Sequence, residues 1–218
     1  MKFTMKKFNF LIVALIVAVG FTACSKNDYE PYDYQKYLTL EAPIIERYAD
    51  SVANELGAVA VEDSTGIWYI VLEEGLQEPG EEGSGFYEYN IRKEQGRDMI
   101  ETPRIRVNYV GKVIPGGSVF DQNDMKEATY LSLGEVVFAW QAAFLPKYIE
   151  NEEGVLKYNN IGMDIMPKGL QKGAKVRIFS PSPYGYANQT RPGIPANSPL
   201  DFTIEVLEVK VPAAASTN

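Results

Sequence analysis

Residues 104–121 read RIRVNYVGKVIPGGSVFD, and the pattern inside them decides the fold. Ile105, Val107, Tyr109 and Val113 alternate with Arg104, Arg106, Asn108 and Lys112. That is the period of a strand with one face on a core and the other toward water. Val110 alone departs from it. Pro115, Gly116 and Gly117 combine a fixed φ with residues free to take positive φ, which predicts a type II turn. Val119, Phe120 and Asp121 restart an extended chain, so the stretch is expected to fold as a β-hairpin.

Working outward, residues 67–72 (IWYIVL) form a continuous apolar run expected as a buried strand after the turn residues 63–66. Ala174, Val176 and Ile178 alternate with Lys175 and Arg177, and residues 200–209 supply a closing strand. Ile44, Ile45, Tyr48, Val52 and Leu56 recur at three- and four-residue steps, which predicts an amphipathic helix over residues 43–56. Pro43 suits its first turn and Gly57 its stop. A single helix with one apolar face is not stable alone, so it must pack on the following domain or on a second copy.

Five blocks, in order, carry a family resemblance. They are residues 65–75 (TGIWYIVLEEG), the hairpin with its Tyr109-Val110-Gly111-Lys112 and Gly117-Ser118-Val119-Phe120-Asp121, and residues 129–140 (TYLSLGEVVFAW). Residues 180–187 (SPSPYGYA) and 194–202 (IPANSPLDF) complete the set. Together they resemble the FK506-binding-protein (FKBP) family of peptidyl-prolyl isomerases, in its bacterial lipoprotein form. The resemblance spans residues 63–210, with residues 76–103 and 150–167 read as insertions, the first of them at the surface with an added edge strand at residues 86–91. Ala139 stands where the family has glycine, and residues 141–148 are expected to be a short helix across the sheet. The fold class implied is α+β: a curved antiparallel sheet wrapped around that short helix, preceded by one N-terminal helix.

The N-terminal stretch carries a targeting signal. Lys2, Lys6 and Lys7 precede the apolar residues 10–19 (FLIVALIVAV), too short a run for a comfortable membrane span of about 20 residues. Residues 20–24 (GFTAC) are similar to a bacterial lipobox, in which a cysteine receives diacylglycerol. Residues 1–23 are therefore expected to be a lipoprotein signal peptide and Cys24 the lipidation site. Residues 24–42, polar and tyrosine-rich over 25–35, read as a tether, and residues 211–218 as a flexible tail. On this reading the protein sits in the bacterial cell envelope, held to the membrane by its lipid.

Composition excludes much else. The sequence has no histidine and one cysteine, which removes Ser-His-Asp and Cys-His catalysis, histidine-bound zinc and any intrachain disulfide. A formal charge of −8 argues against nucleic acid, which needs clustered Lys and Arg. The carboxylates at 81–82 and 150–153 lack the alternating spacing of a calcium loop and read as solvated charge. No metal or cofactor is implied.

The resemblance implies chemistry suited to these absences. Rotation about a peptide bond faces about 18–20 kcal/mol, and both isomers matter at X–Pro. An apolar pocket that fits the twisted amide better than either planar form lowers that barrier without nucleophile or metal. Carried over by position, Tyr109, Phe120, Asp121, Tyr186 and Phe202 are the implied catalytic residues, with Asp121 as a buried charge near Tyr109. Val136, Val137, Trp140 and Ile194 are the implied substrate-binding residues, with Trp140 as the floor. The Val137 N–H and the Tyr186 hydroxyl would donate to ligand carbonyls. The implied partners are proline-containing polypeptides, and the chain is a monomer or a helix-mediated dimer. The implied function is isomerisation of X–Pro bonds in exported or envelope proteins. The competing reading is a non-catalytic FKBP-like lipoprotein that binds peptide or protein.

Overall fold

The alternation at the centre of the sequence builds a long strand beside one edge of a seven-stranded antiparallel sheet. The computed structural model describes residues 31–81, 83–123, 128–151, 154–157 and 166–211. In chain order the sheet strands are β1 (Val61–Glu62), β2 (Trp68–Glu74), β5 (Arg104–Val113), β6 (Val119–Gln122), β7 (Tyr130–Ser132), β10 (Ala174–Ser180) and β11 (Leu200–Lys210). Two hairpins stand apart from it, β3 (Ile91–Glu94) with β4 (Arg97–Ile100), and β8 (Tyr148–Asn151) with β9 (Gly154–Lys157). The sheet order is β1-β2-β10-β11-β5-β6, with β7 also pairing β5. Register shifts at Lys175/Val176, Gly111/Lys112 and Val206/Glu208 add local twist and bend the sheet.

Register assigns every side chain to a face. Tyr69, Ile178, Phe202 and Gly111 lie in one cross-strand row, and Trp68, Phe179, Asp201 and Lys112 in the next. Because alternate residues point to opposite faces, the first row is inward and the second outward. The inner face closes on α2 (Phe138–Phe144), whose Ala139, Trp140, Ala142, Ala143 and Phe144 are all buried. This helix begins three residues before the expected 141, because Val137 already accepts from the N–H groups of Trp140 and Gln141. The hairpin turn also differs from type II: the Ile114–Pro115 bond is cis, and Gly117 takes the positive φ of 66°.

The outer face is covered by α1 (Tyr34–Leu56). Ile45, Ala49, Val52 and Ala53 are buried against Ile70, Ile114 and Phe179. Each fully buried Ile or Val side chain contributes on the order of 1.5–3 kcal/mol. The expected helix face therefore packs on its own domain, while Ile44 and Leu56 remain exposed. The expected start at Pro43 is corrected. Asp33 caps the helix by accepting the Lys36 N–H at 3.0 Å, so residues 34–42 are helix and not tether. Pro43 is exposed, so water can serve the carbonyl its missing N–H leaves unpaired. Gly57, at φ 62°, closes the far end with its N–H on Ala53 and Asn54 carbonyls.

The expectation of a surface insertion at 76–103 is also corrected. Tyr87 and Tyr89 belong to the main core, and their rings meet edge to face at 4.8 Å. Gln171, fully buried, accepts the Tyr87 N–H at 2.9 Å and donates to the Tyr87 carbonyl at 3.1 Å. The Tyr89 hydroxyl donates to the Phe144 carbonyl at 2.6 Å, satisfying the end of α2. Residues 86–90 form no strand; pairing begins at Ile91. The proposed signal peptide, Cys24 and residues 212–218 of the tail lie outside the described residues, as do residues 152–153 and 158–165 of the second insertion.

Candidate functional site

Between α2 and the edge of the sheet lies a cavity of about 180 Å³ lined by Tyr109, Phe120, Phe202, Trp140, Val136 and Val137, with Tyr186, Asp121, Leu131 and Glu135 around it. Each wall follows from a local rule. Tyr109 and Phe202 are inward residues of adjacent strands, and Trp140 comes from the first turn of α2. Edge-to-face contacts join them: Tyr109 to Trp140 at 5.2 Å, Trp140 to Phe202 at 5.5 Å, and Phe202 to Phe120 at 5.9 Å. Such pairs add about 0.5–1.5 kcal/mol each beyond burial, so the walls hold one another in place. The tip of the Phe120 ring can approach β5 because Gly111 has no side chain there; a Cβ would sit 2.6 Å from the Phe120 Cζ.

Polar groups are few. The Tyr109 hydroxyl donates to Asp121 Oδ2 at 2.7 Å. Asn123 fixes the same corner, accepting the Tyr109 N–H at 2.7 Å and donating to the Val107 carbonyl at 2.8 Å. Burial, and then the hydrogen bond and charge of Asp121, push the Tyr109 phenol well above its ordinary range. Burial and the Asp121 charge also raise the Tyr186 phenol, against the opposing pull of Arg191, whose guanidinium lies over the Tyr186 ring at 5.6 Å. Both hydroxyls are therefore neutral donors at physiological pH. Among the described residues the Tyr186 hydroxyl, the Val137 N–H and the buried Trp140 Nε1–H have no hydrogen-bond partner.

Of the nine pocket residues expected from sequence, eight line this one cavity. Ile194 does not; it is buried in the core cluster and paired by its backbone to Arg191. Asp121 lines the cavity, but as an exposed carboxylate at its rim, which corrects its reading as a buried charge. Its strand β6 is an edge of the sheet, so no neighbour covers it. The buried acids lie elsewhere: Asp201, paired with Arg177 and accepting from the Tyr48 hydroxyl at 3.1 Å, and Glu41 on α1. Leu131 and Glu135 were missed. Leu131 is the inward residue of short β7, and Glu135 immediately precedes the Val136-Val137 pair.

A profile described as FKBP-type peptidyl-prolyl cis-trans isomerase matches residues 97–207. The chain belongs to the FKBP family. It is similar to FK506-binding protein 4 of Candida glabrata, 33% identical over 118 residues that make up 53% of this chain and 24% of that protein. It is also similar to FK506-binding protein 4 of Mycosarcoma maydis, 35% identical over 109 residues, 49% of this chain and 23% of that one. The FKBP region thus spans about a quarter of these curated relatives. Among solved structures, a peptidyl-prolyl cis-trans isomerase of Pseudomonas syringae aligns over 83% of this chain and 98% of its own, with 20% identity and a TM-score of 0.48. The FKBP match begins at β4 and ends within β11, so α1 and most of the 76–103 segment lie outside it.

Proposed function

We propose that this protein is a peptidyl-prolyl cis-trans isomerase acting on proline-containing polypeptides. The observation that carries the proposal is the aromatic box of Tyr109, Trp140, Phe202 and Phe120 around a single cavity with uncommitted donors at its edge. A proline ring seats on the Trp140 floor between the aromatic walls. The Val137 N–H and the Tyr186 hydroxyl hold the flanking carbonyls. The amide loses conjugation as it twists, and an apolar surround favours that less polar, twisted state over either planar form. Tyr109, fixed by Asp121, shapes the wall beside the rotating carbonyl. No bond to carbon is made, so a chain without histidine suffices.

The wider reading rests on the N-terminal sequence. Cleavage after residue 23 and lipidation of Cys24 would place the isomerase in the bacterial envelope, where exported and envelope proteins are its substrates. The packing of the α1 apolar face on its own sheet supports a monomer.

Protease-coupled turnover of a proline tetrapeptide tests the proposal, with Asp121→Ala and Phe202→Ala as controls. Catalysis by the native chain that is lost in Phe202→Ala and weakened in Asp121→Ala is expected. A folded native chain that binds the peptide without accelerating isomerisation would leave the non-catalytic binding reading in its place.

A further inference from the structure

In the loop that carries Tyr186, Ser182 holds both residues beside the tyrosine. Its carbonyl accepts the N–H of Gly185 at 3.0 Å and of Ala187 at 2.8 Å, the two residues flanking Tyr186. Ala187 takes a φ of 52°, a conformation that needs such outside support in a residue other than glycine. Ser182 is in turn held by α1. Its N–H and its Oγ–H each donate to the Glu41 carboxylate, at 2.6 Å for both. Glu41 is 4% exposed and Ser182 fully buried, so water does not substitute for either bond. On its other side the turn is steadied by Tyr184, whose ring packs on Phe138 of α2 at 4.9 Å.

We propose that Glu41 is a positioning residue for the isomerase site: through its two hydrogen bonds to Ser182, α1 sets the loop that presents the Tyr186 hydroxyl to substrate. The helix lies outside the FKBP match, so this support comes from a part of the chain that the family profile does not reach. The consequence for turnover rests on the isomerase reading above; the consequence for the loop does not.

Two readouts separate those claims. In the full chain, Glu41→Ala removes both bonds that the carboxylate makes to Ser182, and kcat/KM is expected to fall about tenfold. Glu41→Gln restores most of it, since the carboxamide oxygen can accept the Ser182 N–H while its NH₂ donates to Oγ. Val52→Ala removes apolar packing from the same helix without touching the loop, and its turnover should match the native chain. Independently, amide exchange at Gly185 and Ala187 should rise about tenfold in Glu41→Ala and remain native in Val52→Ala. Native exchange at both amides in Glu41→Ala would overturn the proposal, as would equal losses of turnover in Glu41→Ala, Glu41→Gln and Val52→Ala. Faster exchange in Glu41→Ala with no turnover by the native chain would uphold the positioning role and reject the isomerase reading.

Discussion

Replacing Gly111 by alanine tests the pocket wall without removing any pocket side chain. Gly111 lies on the inner face of β5, opposite Phe202 on β11 and Asp121 on β6. A Cβ there would stand 2.6 Å from Phe120 Cζ, 2.9 Å from Cε2 and 3.1 Å from Cε1. Ordinary contact between carbons is about 3.5–4.0 Å, so the ring must withdraw by about 1 Å. The backbone has no part in the clash, because Gly111 is not among the positive-φ glycines. Overpacking of this kind costs about 1–3 kcal/mol. A 1 Å displacement of a group that shapes the transition state lowers turnover by about tenfold to a hundredfold. Urea unfolding measures the first quantity and protease-coupled isomerisation the second. Phe120→Leu in the Gly111→Ala background removes the ring tip, so stability should recover while turnover stays low. Native turnover in Gly111→Ala, alongside the expected loss of stability, would refute the placement of Phe120 in the catalytic wall.

Three further outcomes are expected. Isomerisation should be flat between about pH 6 and 9, because the chain has no histidine and both pocket phenols are raised above their ordinary value; a titration in kcat/KM within that range would contradict the assignment. Tyr89→Phe removes the hydroxyl that satisfies the Phe144 carbonyl and should cost about 1–1.5 kcal/mol in urea unfolding, whereas no loss would mean that bond is idle. Burial raises the Glu41 carboxyl above its ordinary 4.5, despite the opposing bonds from Ser182. The native state therefore keeps its proton to higher pH than the unfolded chain, and this contribution to stability is lost as pH rises from 4.5 through the native value. Glu41→Gln, which cannot ionise, should gain stability relative to the native chain across that window, and a constant difference would disprove it.

The parts legible in the sequence were those set by local periodicity. The hairpin of β5 and β6, the apolar strand β2 and the closing strand β11 each announce themselves by alternation or by a continuous apolar run. Tyr109, Phe120 and Phe202 reach the same cavity because alternation fixes their face. What stayed hidden depends on contacts distant in sequence. The first nine residues of α1 (YQKYLTLEA) carry no three- and four-residue apolar repeat like that of 44–56, and Pro43 mimics a helix start; only Asp33 as a cap and the Glu41–Ser182 contact, 141 residues apart, show otherwise. Tyr87 and Tyr89 look like surface residues of an acidic, glycine-rich stretch, yet Gln171 and the Phe144 carbonyl satisfy them inside the core. Asp121 and Asp201 are both carboxylates beside a phenylalanine. Their opposite burial is decided by position, since β6 is an edge strand and β11 lies between β10 and β5.

The central claim is that the aromatic cavity lowers the barrier to X–Pro rotation. The most direct measurement is NMR magnetisation exchange between the cis and trans signals of a proline tetrapeptide at equilibrium, with catalytic amounts of the full chain. Uncatalysed exchange takes tens to hundreds of seconds at 25 °C, too slow to transfer magnetisation. Exchange cross-peaks that appear with the native chain and vanish with Phe202→Ala are predicted. Their absence with folded native protein, or their persistence in Phe202→Ala, would contradict the account.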